Sequence, residues 1–484
     1  MLLLAFLLAA QSIDDKIEAL VRQSPIVARA HWGARFVDLQ TGTPLYARNE
    51  NSFFVPASNT KLFSTALALT RLGADHRFKT RLLAERPLDE AGTLLGNLIF
   101  AGGGDPTLSG RPIPYAHKAP FTDPLGPLRE LVEQAWRNGL RRVTGDVIGD
   151  DTHYVWEPYP EGWAQDDTLY EFGAPVSALM LHENFFRIHL SPGVNPGDPA
   201  RLSLTPSLPY FLLDSRVTTS ANKSEEKIRV DRAPGSRLVE LSGRIGPRNG
   251  TTLELAVDDP ARYAAFALRA SLRRRGIQVD GDIAARHRGP LDEDAAVEGI
   301  ELARRVSPPL AETLKVIDKA SRNLQAEIVL REVSKARGRQ GTRKGGIEEL
   351  KAFLAEIGVP SADYNFEDGS GLSRLNLTTP ETVTRLLRHM HRDAHREQWM
   401  DLLPVGGEDG SLAFRYRDLK EGRVLAKTGT IEHVGALSGY IETGRGRWLA
   451  FSVMVNNANA RASEIRRFID KLVLLFVESP NADF

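Results

Sequence analysis

Cysteine is absent from all 484 residues. That excludes disulfide staples, a thiol nucleophile, a cysteine-ligated metal and a lipid anchor on an N-terminal cysteine. Charge imbalance is absent too: 62 basic residues face 62 acidic ones. Without a basic excess, nothing points to nucleic acid as a partner. No stretch reaches the roughly 18 uncharged apolar residues of a membrane span, so no transmembrane helix is expected. The chain has no H-E-x-x-H zinc motif. Gly102-Gly103-Gly104 is followed by neither a Walker lysine nor a dinucleotide pattern, and reads as a turn. His389, His391 and His395 cluster where a helix end would face water and complement its dipole. No metal or cofactor is expected. What remains is ordinary globular composition, 42% apolar and 26% charged, with length for about two to four domains.

Residues 2–10 are an apolar run of signal-peptide length, with the small residues Ala9 and Ala10 suited to cleavage. No Lys or Arg precedes it. Residues 1–10 are therefore expected to be a signal peptide, and the chain to be exported to the periplasm or cell envelope. After it, 13–22 reads as an amphipathic helix, and 32–39 with 44–48 as a hairpin. The segment 62–69 is an apolar helix that ends near Gly73. From about 86 to 304 the texture changes to short β-like runs punctuated by glycine and proline, a mostly β insertion. Helices follow at 309–320, 324–336, 347–357 and 381–391. Strands follow at 434–441 and 448–455, and a last helix at 463–477. Strands near both ends of the sequence imply one sheet built from distant segments.

Three short motifs occur in order: Ser58-Asn-Thr-Lys61, Ser321-Arg-Asn323 and Lys427-Thr-Gly429. A serine hydroxyl is a weak nucleophile that needs a base within reach. Residues three apart on a helix share a face, so Lys61 is spaced to reach Ser58. To accept a proton Lys61 must be neutral part of the time, which burial and a second cation such as Lys427 favour. Ser321 suits a proton relay to the leaving nitrogen. Asn323 suits a donor to the substrate carbonyl and a tether for Lys61. Lys427 and Thr428 suit a terminal carboxylate. The Lys-Thr-Gly run is expected on an edge strand, where an extended peptide can pair, with Gly429 allowing close approach. The backbone N–H groups of Ser58 and Thr430 make the natural oxyanion pair. S-x-x-K also occurs at Ser220–Lys223 and Ser224–Lys227, and S-x-N at Ser220–Asn222. No apolar helix follows these copies, so they lack the rigid mount a nucleophile needs.

The ordered trio resembles that of serine β-lactamases and penicillin-binding proteins. Further segments are similar to the class-C low-molecular-mass penicillin-binding proteins, the D-alanyl-D-alanine carboxypeptidase/endopeptidase family. They are Gly102-Gly-Gly-Asp-Pro-Thr-Leu108, Gly162-Trp163 through Asn184, Asp368-Gly-Ser-Gly-Leu-Ser-Arg374, Gly407-Glu-Asp-Gly410 and Gly439-Tyr440. Arg322 departs from the Asn or Asp more usual at the centre of S-x-N. The resemblance implies an α+β fold: an antiparallel sheet packed with α-helices, split by a long β-rich insertion of one or two domains. The peptidase domain is expected at 11–85 and 305–484, and the insertion at 86–304. The implied activity is serine D,D-peptidase action on D-alanyl-D-alanine or D-alanyl-diamino-acid bonds of peptidoglycan stem peptides, with β-lactams as acylating inhibitors. The resemblance also implies that Asp167 meets the side-chain ammonium of a diamino acid. The alternatives are a β-lactamase or esterase of the same superfamily, or a non-catalytic wall-binding homologue.

Overall fold

The computed structural model describes residues 12–420 and 422–478. The expected signal peptide lies outside them. The chain forms two compact units. One comprises Met1–Thr70, Leu314–Ser321 and Ile347–Phe484; the other comprises Arg71–Thr313 and Arg322–Gly346. The second therefore reaches beyond 86–304 on both sides.

The first unit is built on a five-stranded antiparallel sheet. Its order is Val424–Ile431, Val434–Glu442, Trp448–Asn456, His31–Asp38 and Pro44–Arg48. The strands Val434–Glu442 and Trp448–Asn456 are buried at nearly every position, as strands covered on both faces must be. Helices Ile13–Arg22 and Ala462–Val477 supply Ile17, Leu20, Phe468 and Leu472 to a core with Phe36, Leu437, Phe451 and Val453. Helix Pro380–Met390 packs on the same sheet, capped by the Thr379 hydroxyl, which accepts from the Thr382 N–H at 3.0 Å. There the Tyr440 hydroxyl donates to the Leu387 carbonyl at 2.6 Å and accepts from Trp399 Nε1 at 2.8 Å. The helix Thr60–Leu72 is buried at every position from Thr60 to Leu69. Its polar members in that stretch, Thr60, Lys61, Ser64 and Thr65, are buried with the apolar ones.

The second unit is β-rich but not purely so. A mixed five-stranded sheet runs Ile283–Arg288, Val147–Val155, Leu98–Ala101, Lys79–Ala84, Ile300–Val306, and its first two pairings are parallel. Two three-stranded sheets lie in the stretch from Phe185 to Ala256. Two helices unforeseen in the sequence, Gly126–Arg137 and Pro260–Arg275, bring Leu128, Leu131, Leu268 and Leu272 to one core with Leu82, Phe100 and Val147. Among the described residues no helix is long and apolar enough to cross a membrane.

Candidate active site

Ser58 lies in a single 3-10 turn, Ala57–Asn59, that runs straight into the helix Thr60–Leu72. In a 3-10 turn side chains three apart eclipse one another. Lys61 therefore comes over the serine, its Nζ donating to Ser58 Oγ at 2.9 Å and to the Ser370 carbonyl at 2.6 Å. Lys61 is fully buried while Ser58 is half-buried, so the hydroxyl faces outward and its lysine does not. The turn is pinned from below, where Asn59 Nδ2 donates to Ser438 Oγ at 2.6 Å on a central strand. Ala57 holds a left-handed φ of 49°, a costly conformation for a residue with a Cβ.

The Ser370 carbonyl comes from a loop organised by Asp368. One carboxylate oxygen accepts from the Gly371 N–H at 2.8 Å, and the other from the Ser373 N–H at 2.8 Å. Gly371 has a φ of 84°, and a Cβ there would stand 1.9 Å from the Ala57 carbonyl oxygen. Only glycine satisfies both the dihedral and the contact.

Lys427, Thr428, Gly429 and Thr430 lie on Val424–Ile431, an edge strand of the sheet. The outer side of its first half is covered, because the Gly406 N–H donates to Val424 O and the Ala426 N–H to Pro404 O. Among the described residues no strand pairs with the outer side of Lys427–Ile431. Lys427 is fully buried, its Nζ donating to Ser321 Oγ and to the Thr428 carbonyl, both at 2.9 Å. Thr428 Oγ1 donates to Ser411 Oγ at 2.8 Å. Gly429 has a role the sequence did not reveal: a Cβ there would stand 2.6 Å from the Pro56 carbonyl oxygen. The close approach is made by the segment that leads into the Ser58 turn. Ser321 holds a left-handed φ of 55°.

Asp318 was not anticipated. It is fully buried in helix Leu310–Lys319 and accepts at Oδ2 from Thr65 Oγ1 at 3.0 Å. Burial pushes its carboxyl above the usual range, against the opposing pull of Lys427, Thr65 and Lys61. Burial likewise pushes Lys427 below the usual ammonium range, and Asp318 opposes that. The sequence did carry a signal, since Asp318 extends the buried stripe of Leu310, Leu314 and Ile317, where an apolar residue belongs.

Ser58, Lys61, Ser321, Lys427, Thr428, Gly429 and Thr430 thus all belong to the first unit. Asn323 and Asp167 belong to the second. Asn323 opens the helix Asn323–Ala336, and its Nδ2 donates to the Phe172 carbonyl at 2.8 Å. Asp167 is half-buried at the start of a 3-10 turn, Asp167–Leu169, and Asp166 makes no side-chain cap on it. Arg322 donates to Glu183 at 2.9 Å, and Arg111 grips the same carboxylate at 2.6 and 3.0 Å. Burial alone would raise the Glu183 carboxyl, but Arg322 and Arg111 outweigh it and hold it down at about 2. The second-unit copy at Ser220 carries no such geometry. Ser220 Oγ donates to the Asn222 carbonyl and Lys223 is exposed, while Ser224 falls in the short turn Lys223–Glu225.

A serine hydroxyl bonded to a buried lysine, beside an open strand edge, is machinery for acyl transfer, and the surrounding fold is that of the serine D,D-peptidases. The chain belongs to the D-Ala-D-Ala carboxypeptidase 3 (S13) family, which it matches over residues 13–475. It is a serine-type D,D-peptidase. A D-alanyl-D-alanine carboxypeptidase of Actinomadura sp. is 34% identical over 462 residues, covering 93% of this chain and 81% of that one. The carboxypeptidase DacB of Haemophilus influenzae is 26% identical over 413 residues, covering 84% and 81%. The crystal structure of penicillin binding protein 4 from H. influenzae shares the fold, with a TM-score of 0.82 at 24% identity, covering 96% of this chain and 99% of that one.

Proposed function

We propose that Ser58 is the nucleophile that cuts D-alanyl peptide bonds of peptidoglycan stem peptides. The reading is carried by the 2.9 Å bond from the buried Lys61 to the half-buried Ser58. Ser58 Oγ attacks the carbonyl carbon of the penultimate D-alanine and its proton passes to Lys61. The C–N bond breaks, and the leaving amine takes a proton through Ser321. Water then releases the acyl group and restores the hydroxyl. The N–H groups of Ser58 and Thr430 hold the oxyanion, and losing one such donor typically costs about 10²–10³ in rate. Asn323 orients the substrate amide. Lys427, Thr428 and Thr430 receive the terminal carboxylate along the open edge, with Gly429 keeping strand and turn together. Asp167 pairs with the side-chain ammonium of a diamino acid.

β-Lactams enter by the same attack, with the ring nitrogen as a leaving group that stays tethered. The peptidase domain is read as 11–85 and 305–484, and 86–304 as an insertion within it. The chain acts outside the cytoplasm, in the periplasm or cell envelope, delivered by a signal peptide at 1–10. The 2–10 apolar run and the cell-wall substrate support this.

The test is covalent labelling. Ser58→Ala is expected to abolish labelling by a fluorescent penicillin while circular dichroism stays unchanged, and Ser220→Ala to change neither. Labelling that survived Ser58→Ala would move the nucleophile elsewhere. Digesting purified cross-linked wall peptides and identifying the products sorts carboxypeptidase from endopeptidase action.

A further inference from the structure

Two fully buried lysines, Lys61 and Lys427, stand in one active site. An isolated buried ammonium is expensive, and two without an anion more so. Three cations act on Asp318: Lys427 from the edge strand, Lys61 from the nucleophile helix and Lys319 from its own helix. Lys319 is already answered, since its Nζ donates to Asp409 at 2.5 Å and to the Leu403 carbonyl at 2.9 Å. That leaves one carboxyl set against two lysines.

The hydrogen bonds of Thr65 add a second constraint. Its Oγ1 lies 2.7 Å from the Lys61 carbonyl and 3.0 Å from Asp318 Oδ2. Both oxygens accept when Asp318 is ionised, yet a threonine hydroxyl has one proton to give. An ionised Asp318 draws that proton away from the Lys61 carbonyl. A protonated Asp318 donates to Thr65, which then donates to the Lys61 carbonyl. The other carboxyl oxygen, Oδ1, is buried without a hydrogen-bond partner, so beyond Thr65 only the charges of the nearby lysines favour the ionised form. The site therefore has two self-consistent protonation patterns.

We propose that Asp318 is a positioning residue that sets the proton count of the lysine pair: ionised, it holds one ammonium at Lys427 and leaves Lys61 neutral to take the Ser58 proton. The proposal rests on the reading of Ser58 and Lys61 given above. The upward push on Asp318 and the downward push on Lys427 agree with a proton shared near neutrality rather than fixed on one partner. In this arrangement one carboxyl keeps a base and a carboxylate receptor in opposite charge states inside the same dry site.

The experiment follows the second-order rate of acylation by a fluorescent penicillin from about pH 5 to about pH 10, in the full chain. Removing the negative charge lowers the pKa of the lysines. Asp318→Asn is therefore expected to move both limbs of the profile to lower pH by about one to three units. Thr65→Val withdraws the bond to the ionised carboxyl and keeps Asp318 protonated to higher pH, so the acid limb is expected to move to higher pH. It also decides the matter if Asp318→Asn fails to fold. A rate lowered equally at all pH values, with the limbs in place, marks Asp318 as structural and overturns the proposal, as does a shift of the Asp318→Asn limbs to higher pH. Ser58→Ala separates the two levels: if it abolishes labelling while Asp318→Asn leaves the limbs in place, the nucleophile stands and only the role of Asp318 falls.

Discussion

Glu183 shows what a single side chain does for this fold. It sits within a run of three left-handed residues, His182, Glu183 and Asn184, and answers two arginines, one of them the middle residue of S-x-N. Removing one partner of a buried pair typically costs about 3–5 kcal/mol, so Glu183→Gln is expected to lower denaturant stability by that order. The sign with pH follows from a depressed carboxyl. Its contribution is complete above the unfolded value of about 4.3 and is lost as pH falls toward about 2. Acid unfolding of the wild type is expected to steepen in that window, and Glu183→Gln to remove the step. A melt of the variant that kept the step would locate it in another carboxylate, such as Glu332, where burial pushes the carboxyl up but hydrogen bonds from His153 and His76 outweigh it and hold it at about 2. Asp167 is tested through substrate: Asp167→Asn is expected to slow peptides with a free side-chain amine by about 10–150-fold. The same peptides acetylated there should be barely affected, and equal slowing of both would give Asp167 a structural role.

At the scale of elements, the turn that carries Ser58 is held between two close backbone approaches, at Gly371 and Gly429. Gly371→Ala is expected to cost about 1–3 kcal/mol through its left-handed backbone alone, and to push the Ala57 carbonyl away. Acylation should fall by at least about tenfold and the melting midpoint by several degrees. Normal acylation with a normal midpoint would mean the loop yields without moving Ser58. Much at this scale was legible. The helices at 13–22, 324–336 and 463–477 and the strands at 434–441 and 448–455 carried clean periodicity, and the structure places each within a residue or so. Gly126–Arg137 was not legible because it opens on Gly-Pro, a turn signal. Pro260–Arg275 was obscured because five arginines dilute its apolar stripe. Parallel pairing of Leu98–Ala101 with Val147–Val155 depends on packing that no local window contains.

For the whole molecule, the chain is organised around more than one core. The apolar residues of the sheet carrying Lys427 form one cluster, and those packed around Gly126–Arg137 and Pro260–Arg275 another. A chain of this kind departs from two-state unfolding. Calorimetry is expected to give an enthalpy larger than the van't Hoff value, and a single transition with equal enthalpies would refute that. The pairing of Ser58 with Lys61 was readable because a spacing of three residues brings the two side chains together on a helical turn. Asp318 was not, since its meaning depends on Lys61 and Lys427, far away in the chain. Asn323 and Asp167 were readable as residue types, and their roles rest on substrate.

The uncovered stretch Lys427–Ile431 has a cost that catalysis conceals. A strand edge left without a partner strand can receive any extended chain, including a neighbour's. Covering it fully, as Pro404–Gly406 covers the strand's first half, would protect the molecule from self-association and close the enzyme. The buried Lys427 offers no outward charge to repel an intruder, so selectivity along this stretch falls to the shape and charge of whatever enters. Acylation by a tethered inhibitor would occupy the edge, and with it remove one open template for aggregation.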